Sequence, residues 1–367
     1  MIQNNYFIEN FEQSPLIIQI VWTSIVIIIF LLFIIIIYLK YLRSILRKND
    51  RLRSELEKKY ETAVINYLYA GDERDEISDE QQSIIDELKS TISEPCKRDI
   101  LISTLLKLSY EISGEMAESI HKLYIHTGLL DYSLAKLRNR KWNIIADGIR
   151  EVTLFHVKEV QDQIKIHINH PKIQVRSAMQ LYLVNLFHFE GLDFLNHITT
   201  PISEWDQIQL LEVLHLNNNQ KVSDIKLWLN SPNESVVFFA LKLAKIYNQY
   251  GAKNELIALL NHENIKIRIH AIHLLSYLNI IEAKITLKNN FEKLTLEEQI
   301  VFFEMLENLY EKTDKPFILE HILNTNFDIK FSALKILKNL NIDEFNSFKN
   351  LTLEPEFVRI VKYIESN

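Results

Sequence analysis

The sequence predicts an all-α chain: a single N-terminal transmembrane helix followed by an α-solenoid of antiparallel helix pairs. Three observations carry that expectation. Residues Leu16 to Leu39 include no charged side chain. A five-position apolar pattern recurs seven times between Ile145 and Leu340. Only 6 Gly and 7 Pro punctuate 367 residues, fewer than a β-sandwich or a doubly wound sheet needs for its turns.

Residues 1–15 read as a short extracytoplasmic N-terminus whose only charges are Glu9 and Glu12. Residues 16–39, LIIQIVWTSIVIIIFLLFIIIIYL, read as the span, with Gln19, Thr23 and Ser24 as its markedly polar members. At 1.5 Å per residue the run makes about 36 Å of helix, enough to cross a hydrocarbon core of about 30 Å with some tilt. A cleaved signal peptide is the competing reading. It calls for a basic leading region, a shorter apolar region and a small-residue cleavage site, whereas here the leader is acidic and Lys40-Tyr41-Leu42-Arg43 follows. Lys40, Arg43, Arg47, Lys48, Arg51 and Arg53 lie close behind the span, and no Lys or Arg precedes it. The positive-inside rule then places the N-terminus outside and the solenoid in the cytoplasm, at the inner membrane of a bacterial-type cell. The same six cations are candidate contacts for anionic lipid headgroups, although a topology signal alone accounts for them.

Residues 40–80 read as a basic juxtamembrane helix and an acidic loop. Leu42, Ile45, Leu46, Leu52, Leu56, Tyr60, Ala63, Val64 and Tyr67 recur at three- and four-residue steps. Such a stripe suits a coiled coil weakly, so packing against the first helices of the solenoid is the expectation. The loop Gly71-Asp72-Glu73-Arg74-Asp75-Glu76-Ile77-Ser78-Asp79-Glu80 clusters oxygens, yet counted from Asp72 it lacks the sixth-position Gly and twelfth-position Glu of a calcium hand. It reads as a solvated loop whose Ser78-Asp79-Glu80 run caps the next helix.

Residues 81–367 read as the solenoid. The copies begin at Ile145, Val175, Asp206, Val236, Ile267, Glu298 and Ile329; offsets 4 and 7 are apolar throughout, and offsets 8 and 11 are apolar except at Thr153, His156 and Asn217, which together trace one face of an α-helix. Met116, Ile120, Leu123 and Tyr124 fit the same pattern one step earlier. The segments Asn169-His-Pro-Lys-Ile-Gln-Val-Arg176-Ser-Ala178, Asn261-His-Glu-Asn-Ile-Lys-Ile-Arg268-Ile-His-Ala271 and Asn324-Thr-Asn-Phe-Asp-Ile-Lys330-Phe-Ser-Ala333 resemble HEAT repeats over roughly residues 100 to 360. The copies at Asp206 and Glu298 lack the aliphatic opening of that pattern, and Val237 stands where the basic residue belongs. A period near 31 resembles the compact variety found in phycobilin-lyase-like proteins. The resemblance implies a right-handed superhelix whose second helices, Val222 to Leu229, Ala252 to Leu260 and Lys315 to Leu323, line one face. It also implies that Arg176, Arg268 and Lys330 bridge neighbouring repeats.

No phosphate loop, Gly-x-Ser-x-Gly or His-Glu-x-x-His is present. His270 with His273, and His167 with His170, have a spacing compatible with a shared metal but no obvious third ligand, so they read as ordinary histidines. Cys96, the single cysteine, excludes an intrachain disulfide and reads as an inert or mildly reactive thiol. Of Trp142, Trp205 and Trp228, at least two are expected to pack between helices. Trp142, in the run Arg138-Asn-Arg140-Lys141-Trp142, is the candidate partner contact. Residues 61–367 sum to −10, which argues against non-specific binding to nucleic acid. The expected function is therefore a membrane-anchored scaffold that binds a protein partner at the cytoplasmic face, with no catalysis, cofactor or metal. The alternatives are an enzyme or a nucleic-acid-binding protein using the concave face.

Overall fold

The computed structural model describes residues 15–71, 77–112, 115–216, 224–351 and 355–366. Every regular element among them is helical. The chain divides into two compact units, Met1–Leu134 and Ala135–Asn367, so the sequence-based boundary near residue 80 falls inside the first. The N-terminal stretch before Pro15 and positions 72–76 of the acidic run lie outside the described residues.

The first unit is organised by α1 (Leu16–Tyr69), 54 residues without an internal Gly or Pro. Thr23 and Ser24 turn their hydroxyls back onto the carbonyls of Gln19 and Ile20, at 2.5 and 2.7 Å. These two hydroxyls are thus satisfied inside the helix, as an apolar surround requires. At its far end Tyr60, Val64 and Tyr67 are buried against α2 (Asp79–Thr91), α3 (Pro95–Glu111) and α4 (Glu115–His126). The connection into α2 is locked. Ser78 and Gln81 form a reciprocal capping box, the Ser78 hydroxyl donates to Ala70 O at 2.9 Å, and Gln81 Nε2 donates to Tyr67 O at 3.0 Å. The expectation that the whole apolar stripe of 42–67 packs on neighbouring helices needs correction. Ile45, Leu46 and Leu52 are exposed, because the folded bundle covers α1 only from Leu56 onward. Helix α5 (Leu129–Leu137) follows.

Seven longer helices carry the recurring pattern in the second unit: α6 (Trp142–Leu154), α8 (Ile173–Phe187), α9 (Glu204–His215), α11 (Glu234–Ile246), α13 (Ile265–Tyr277), α15 (Leu296–Leu309) and α17 (Phe327–Leu340). All seven first positions, and all seven at offset 4, are buried. Five helices open on a side-chain cap three residues ahead of the first position: Ser203, Asn233, Asn264, Thr295 and Asn326 each accept from backbone N–H groups of the first turn. Each cap stabilises its helix by about 1 kcal/mol.

The helix ends explain how the chain manages with so few glycines. His156, Asn248 and Asn279 take positive φ values of 55°, 48° and 55° just past α6, α11 and α13. In each case the next N–H reaches back to the carbonyl five residues earlier: Val157 to Val152, Gln249 to Ala244, Ile280 to Leu275. That is the Schellman closure built on Asn or His instead of Gly.

The return segments are shorter than expected. They are α7 (Gln161–Lys165), a 3-10 turn at Glu190–Asn196, α10 (Lys226–Leu229), α12 (Lys253–Ala258) between 3-10 turns, α14 (Glu282–Asn289) and α16 (Lys315–His321). The helices expected at Ala252–Leu260 and Lys315–Leu323 are thus interrupted or truncated, and of Val222–Leu229 only Lys226–Leu229 is helical among the described residues. A 12- to 15-residue helix takes nearly half of a period near 31, and the rest is shared between two connections and a return helix of 4 to 8 residues. The chain closes with α18 (Ile342–Leu351) and α19 (Pro355–Ser366). Successive long helices pack side by side, α6 on α8, α8 on α9, α11 on α13, α13 on α15 and α15 on α17.

Candidate interaction surfaces

The charges of the second unit fall into those consumed internally and those left facing outward. Arg268 bonds its own entry loop, donating to His262 O at 2.8 Å and Glu263 O at 3.0 Å, and grips the Glu298 carboxylate of the following repeat through Nε and Nη2. Burial alone would push the Glu298 carboxyl up. The bonds from Arg268 and from the Thr295 N–H and hydroxyl outweigh it, and the group is held below the usual glutamate range. Arg176 makes the same loop contacts, to His170 O at 2.7 Å and Pro171 O at 3.3 Å, where a bridge to a neighbouring repeat was expected. Its neighbour Ser177 makes a cross-repeat bond instead, to Asp206 at 2.6 Å. Lys330 is buried in α17.

The two acids that break the apolar column therefore serve two helices at once. Asp206 and Glu298 cap their own helices through Ser203 and Thr295 and anchor the preceding one through Ser177 and Arg268.

A denser buried cluster joins α14 to the turn before α16. The Lys284 ammonium, almost fully buried, donates to Leu309 O at 2.7 Å, Glu311 at 2.8 Å and Asp314 at 3.0 Å, while Lys288 takes the other Asp314 oxygen. Burial would raise the Asp314 carboxyl, but Lys288, the Glu311 N–H and Lys284 together hold it below the usual aspartate range. Reading each repeat by itself did not single this cluster out.

Among the residues left outward, Arg138, Arg140 and Lys141 are exposed in the turn before α6, and Trp142 opens that helix 40% exposed. Trp205 is more open still at 66%, on the first turn of α9. Only Trp228 of the three is buried, with Nε1 donating to Asn196 at 2.9 Å, so the expectation that two of them pack inside is corrected. Trp205 and Ile173 flank a surface groove of about 540 Å³ floored by α8.

A larger groove, about 880 Å³, crosses α11, α13 and α15. Lys242 and Lys245 form one wall, His270, His273 and Tyr277 the floor, and Glu304 and Asn308 the other wall. Lys245 Nζ stands 5.4 Å from the Tyr277 ring centroid, and Lys242 Nζ donates to Gln207 at 2.8 Å. Burial lowers the His273 pKa; Glu304 pulls it up, while His270 and Lys245 push it further down. The rings of the other histidine pair, His167 and His170, stand 5.9 Å apart, and burial followed by the His170 charge lowers the His167 pKa. Among the described residues no group of three His, Cys, Asp or Glu is placed to hold a metal ion. Cys96 is exposed.

In the first unit Lys40, Arg43, Arg47 and Arg51 follow one another at three- and four-residue steps and are exposed, as is Lys48. Arg53 pairs with Glu57 at 2.8 Å. The acid excess of residues 61–367 proves unevenly shared: residues 135–367 hold 27 Lys or Arg against 28 Asp or Glu, so the second unit is near neutral. Its cations are not submerged in a field of opposite sign.

No family model and no curated protein matches the chain. Solved structures similar to it include an engineered protein at 13% identity and a TM-score of 0.37, covering 84% of this chain and 98% of that one. Human deoxyhypusine hydroxylase, in complex with glycerol, is similar at 12% identity and a TM-score of 0.28, covering 79% and 98%. A second engineered protein is similar at 10% identity and 0.22, covering 70% and 96%. Likenesses at this level assign no family, and the function has to be argued from the chain's own surfaces.

Proposed function

We propose that this chain is a single-pass membrane protein that presents a HEAT-like α-solenoid to the cytoplasm as a docking scaffold for a protein partner. The observation that carries the reading is α1. Its apolar stretch is long enough to span a bilayer, has none of its most apolar window buried in the fold, and runs without a break into a helix end sealed inside a bundle. A core helix of a soluble protein would be covered, and a cleaved leader would not share an unbroken helix with Tyr60, Val64 and Tyr67. The basic stripe from Lys40 to Arg51 supports an inward-facing second half and a headgroup contact.

Scaffolding is favoured over catalysis because the acids with displaced pKa values, Asp314, Glu298 and Glu282, are tied up in ion pairs that hold helices together. Nucleic acid is disfavoured on a count of contacts. Arg138, Arg140 and Lys141 occupy a single turn, whereas salt-sensitive backbone binding draws on roughly six to ten phosphate contacts. Tethering would confine the exposed rim and grooves to the membrane plane and raise their effective concentration toward other membrane-linked components.

The single cysteine provides the test. Cys96, exposed in the first unit, should react with a membrane-impermeant maleimide only after the cells are permeabilised, while the chain resists alkaline extraction from membranes. Labelling in intact cells would reverse the topology. Release by alkali would remove the anchor. Proximity labelling from the C-terminus then tests for a partner.

A further inference from the structure

Across the second unit, oppositely charged side chains on neighbouring repeats neutralise one another. Glu307 on α15 takes Lys335 on α17, Arg268 on α13 takes Glu298 on α15, and Lys253 takes Glu282 at 2.7 Å. Between α11 and α13 that pairing is missing. Lys242 and Lys245 on α11 face His273 and Ser276 at the corresponding positions of α13, and neither ammonium has an ion-pair partner among the described residues. Both line the 880 Å³ groove, in which Glu304 is the one acid. Leu241, Leu274, Val301 and Met305 supply apolar patches between the polar groups.

We propose that this groove is a docking site for an acidic peptide segment of a partner, with carboxylates on Lys242 and Lys245 and aliphatic side chains over α13. The proposal deepens the scaffold reading and rests on it. Two unneutralised cations beside apolar ground fit a chain that alternates acidic and aliphatic residues. A polyphosphate would leave the apolar patches uncovered, and the lining contains no Arg to grip phosphate in a bidentate fork. The His273 imidazole adds pH dependence. His273 faces Lys242 and Lys245 from α11, His270 on its own helix and Glu304 from α15, and stays neutral at neutral pH; a bound carboxylate favours its charged form. Affinity therefore rises as pH falls, so long as the ligand's glutamates, with pKa values near about 4.3, remain ionised.

The test uses the full chain in phosphatidylcholine nanodiscs and a fluorescent peptide of alternating Glu and Leu, with a Gln-Leu peptide as control. Anisotropy should show binding of the Glu peptide alone, tightening several-fold between about pH 7.5 and 5.5. K242Q/K245Q should weaken it about tenfold, and H273Q should flatten the pH response. The site is overturned by absence of binding, by equal binding of the Gln peptide, by an unchanged K242Q/K245Q, or by preference for a single-stranded oligonucleotide. Proximity labelling with the same double variant separates the two readings. Neighbours labelled equally by wild type and variant would retire the groove and leave the scaffold standing, whereas no labelled neighbour for the wild type would retire the scaffold.

Discussion

Asp314→Ala should be among the most damaging substitutions in the second unit, and its cost relative to Lys284→Met can be worked from the contacts. Asp314 accepts from Lys284 at 3.0 Å, from Lys288, and from the Glu311 N–H at 2.8 Å, with its side chain almost wholly buried. Deleting the carboxylate strands the Lys284 ammonium with Leu309 O and the half-exposed Glu311. Breaking a buried pair in this way costs roughly 3 kcal/mol. Lys284→Met removes the charge together with its desolvation, and Asp314 keeps Lys288 and the N–H, so that change costs about 1 kcal/mol. The predicted gap is about 2 kcal/mol. Because each repeat touches mainly its neighbours, the loss should be local. Hydrogen exchange on the full chain in detergent should show deprotection across residues 282–340 and little change across 142–187. Equal costs for the two variants, or deprotection spread evenly over both segments, would refute the reasoning.

Acid should weaken the same region. Asp314 and Glu298 both have folded pKa values held below their unfolded ones, so their stabilisation is fully present above the unfolded values near about 4 and is lost as pH falls through the folded ones. Urea midpoints measured from pH 7 downward should hold to about 5 and then fall, less steeply in the Asp314→Ala variant. Tyr182→Phe should cost about 1 to 3 kcal/mol by urea titration, since its buried hydroxyl donates to Val157 O at 2.7 Å and burial pushes the phenol pKa far up. Gly191→Ala should cost about 3 kcal/mol in the same assay, because a Cβ there would lie 2.2 Å from the Leu183 carbonyl oxygen of α8. A variant as stable as wild type would show that the 3-10 turn shifts freely.

The long helices were legible because burial repeats: each first position and each position at offset 4 is sealed, and periodicity reads burial directly. Asp206 and Glu298 looked like defects in that pattern. They are buried acids whose partners, Ser177 and Arg268, lie 29 and 30 residues earlier, one period away. The same interval separates Lys284 from Asp314 and Lys253 from Glu282. Opposite charges one period apart were thus the signal for the inter-repeat clusters, one that reading each repeat alone could not give. The short returns were less legible, since a run such as Ala252 to Leu260 carries the same apolar spacing whether it forms one helix or α12 between two tight turns. Trp205 was misplaced for a related reason: spacing marks a helix face, but the depth of that face depends on the height of its neighbours.

One further consequence follows from α1 being a single rod. From Lys40 to Tyr60 it advances about 30 Å, at 1.5 Å and 100° per residue, before the bundle takes hold. In an anchored chain that rod would act as both ruler and dial, fixing how far Tyr60 stands from the bilayer and which way the bundle points. Inserting one residue near Asn49 would turn the bundle by about 100° while lifting it only about 1.5 Å, whereas seven would lift it about 10 Å and nearly restore its heading. Azimuth and height could thus be varied separately by changing stalk length alone.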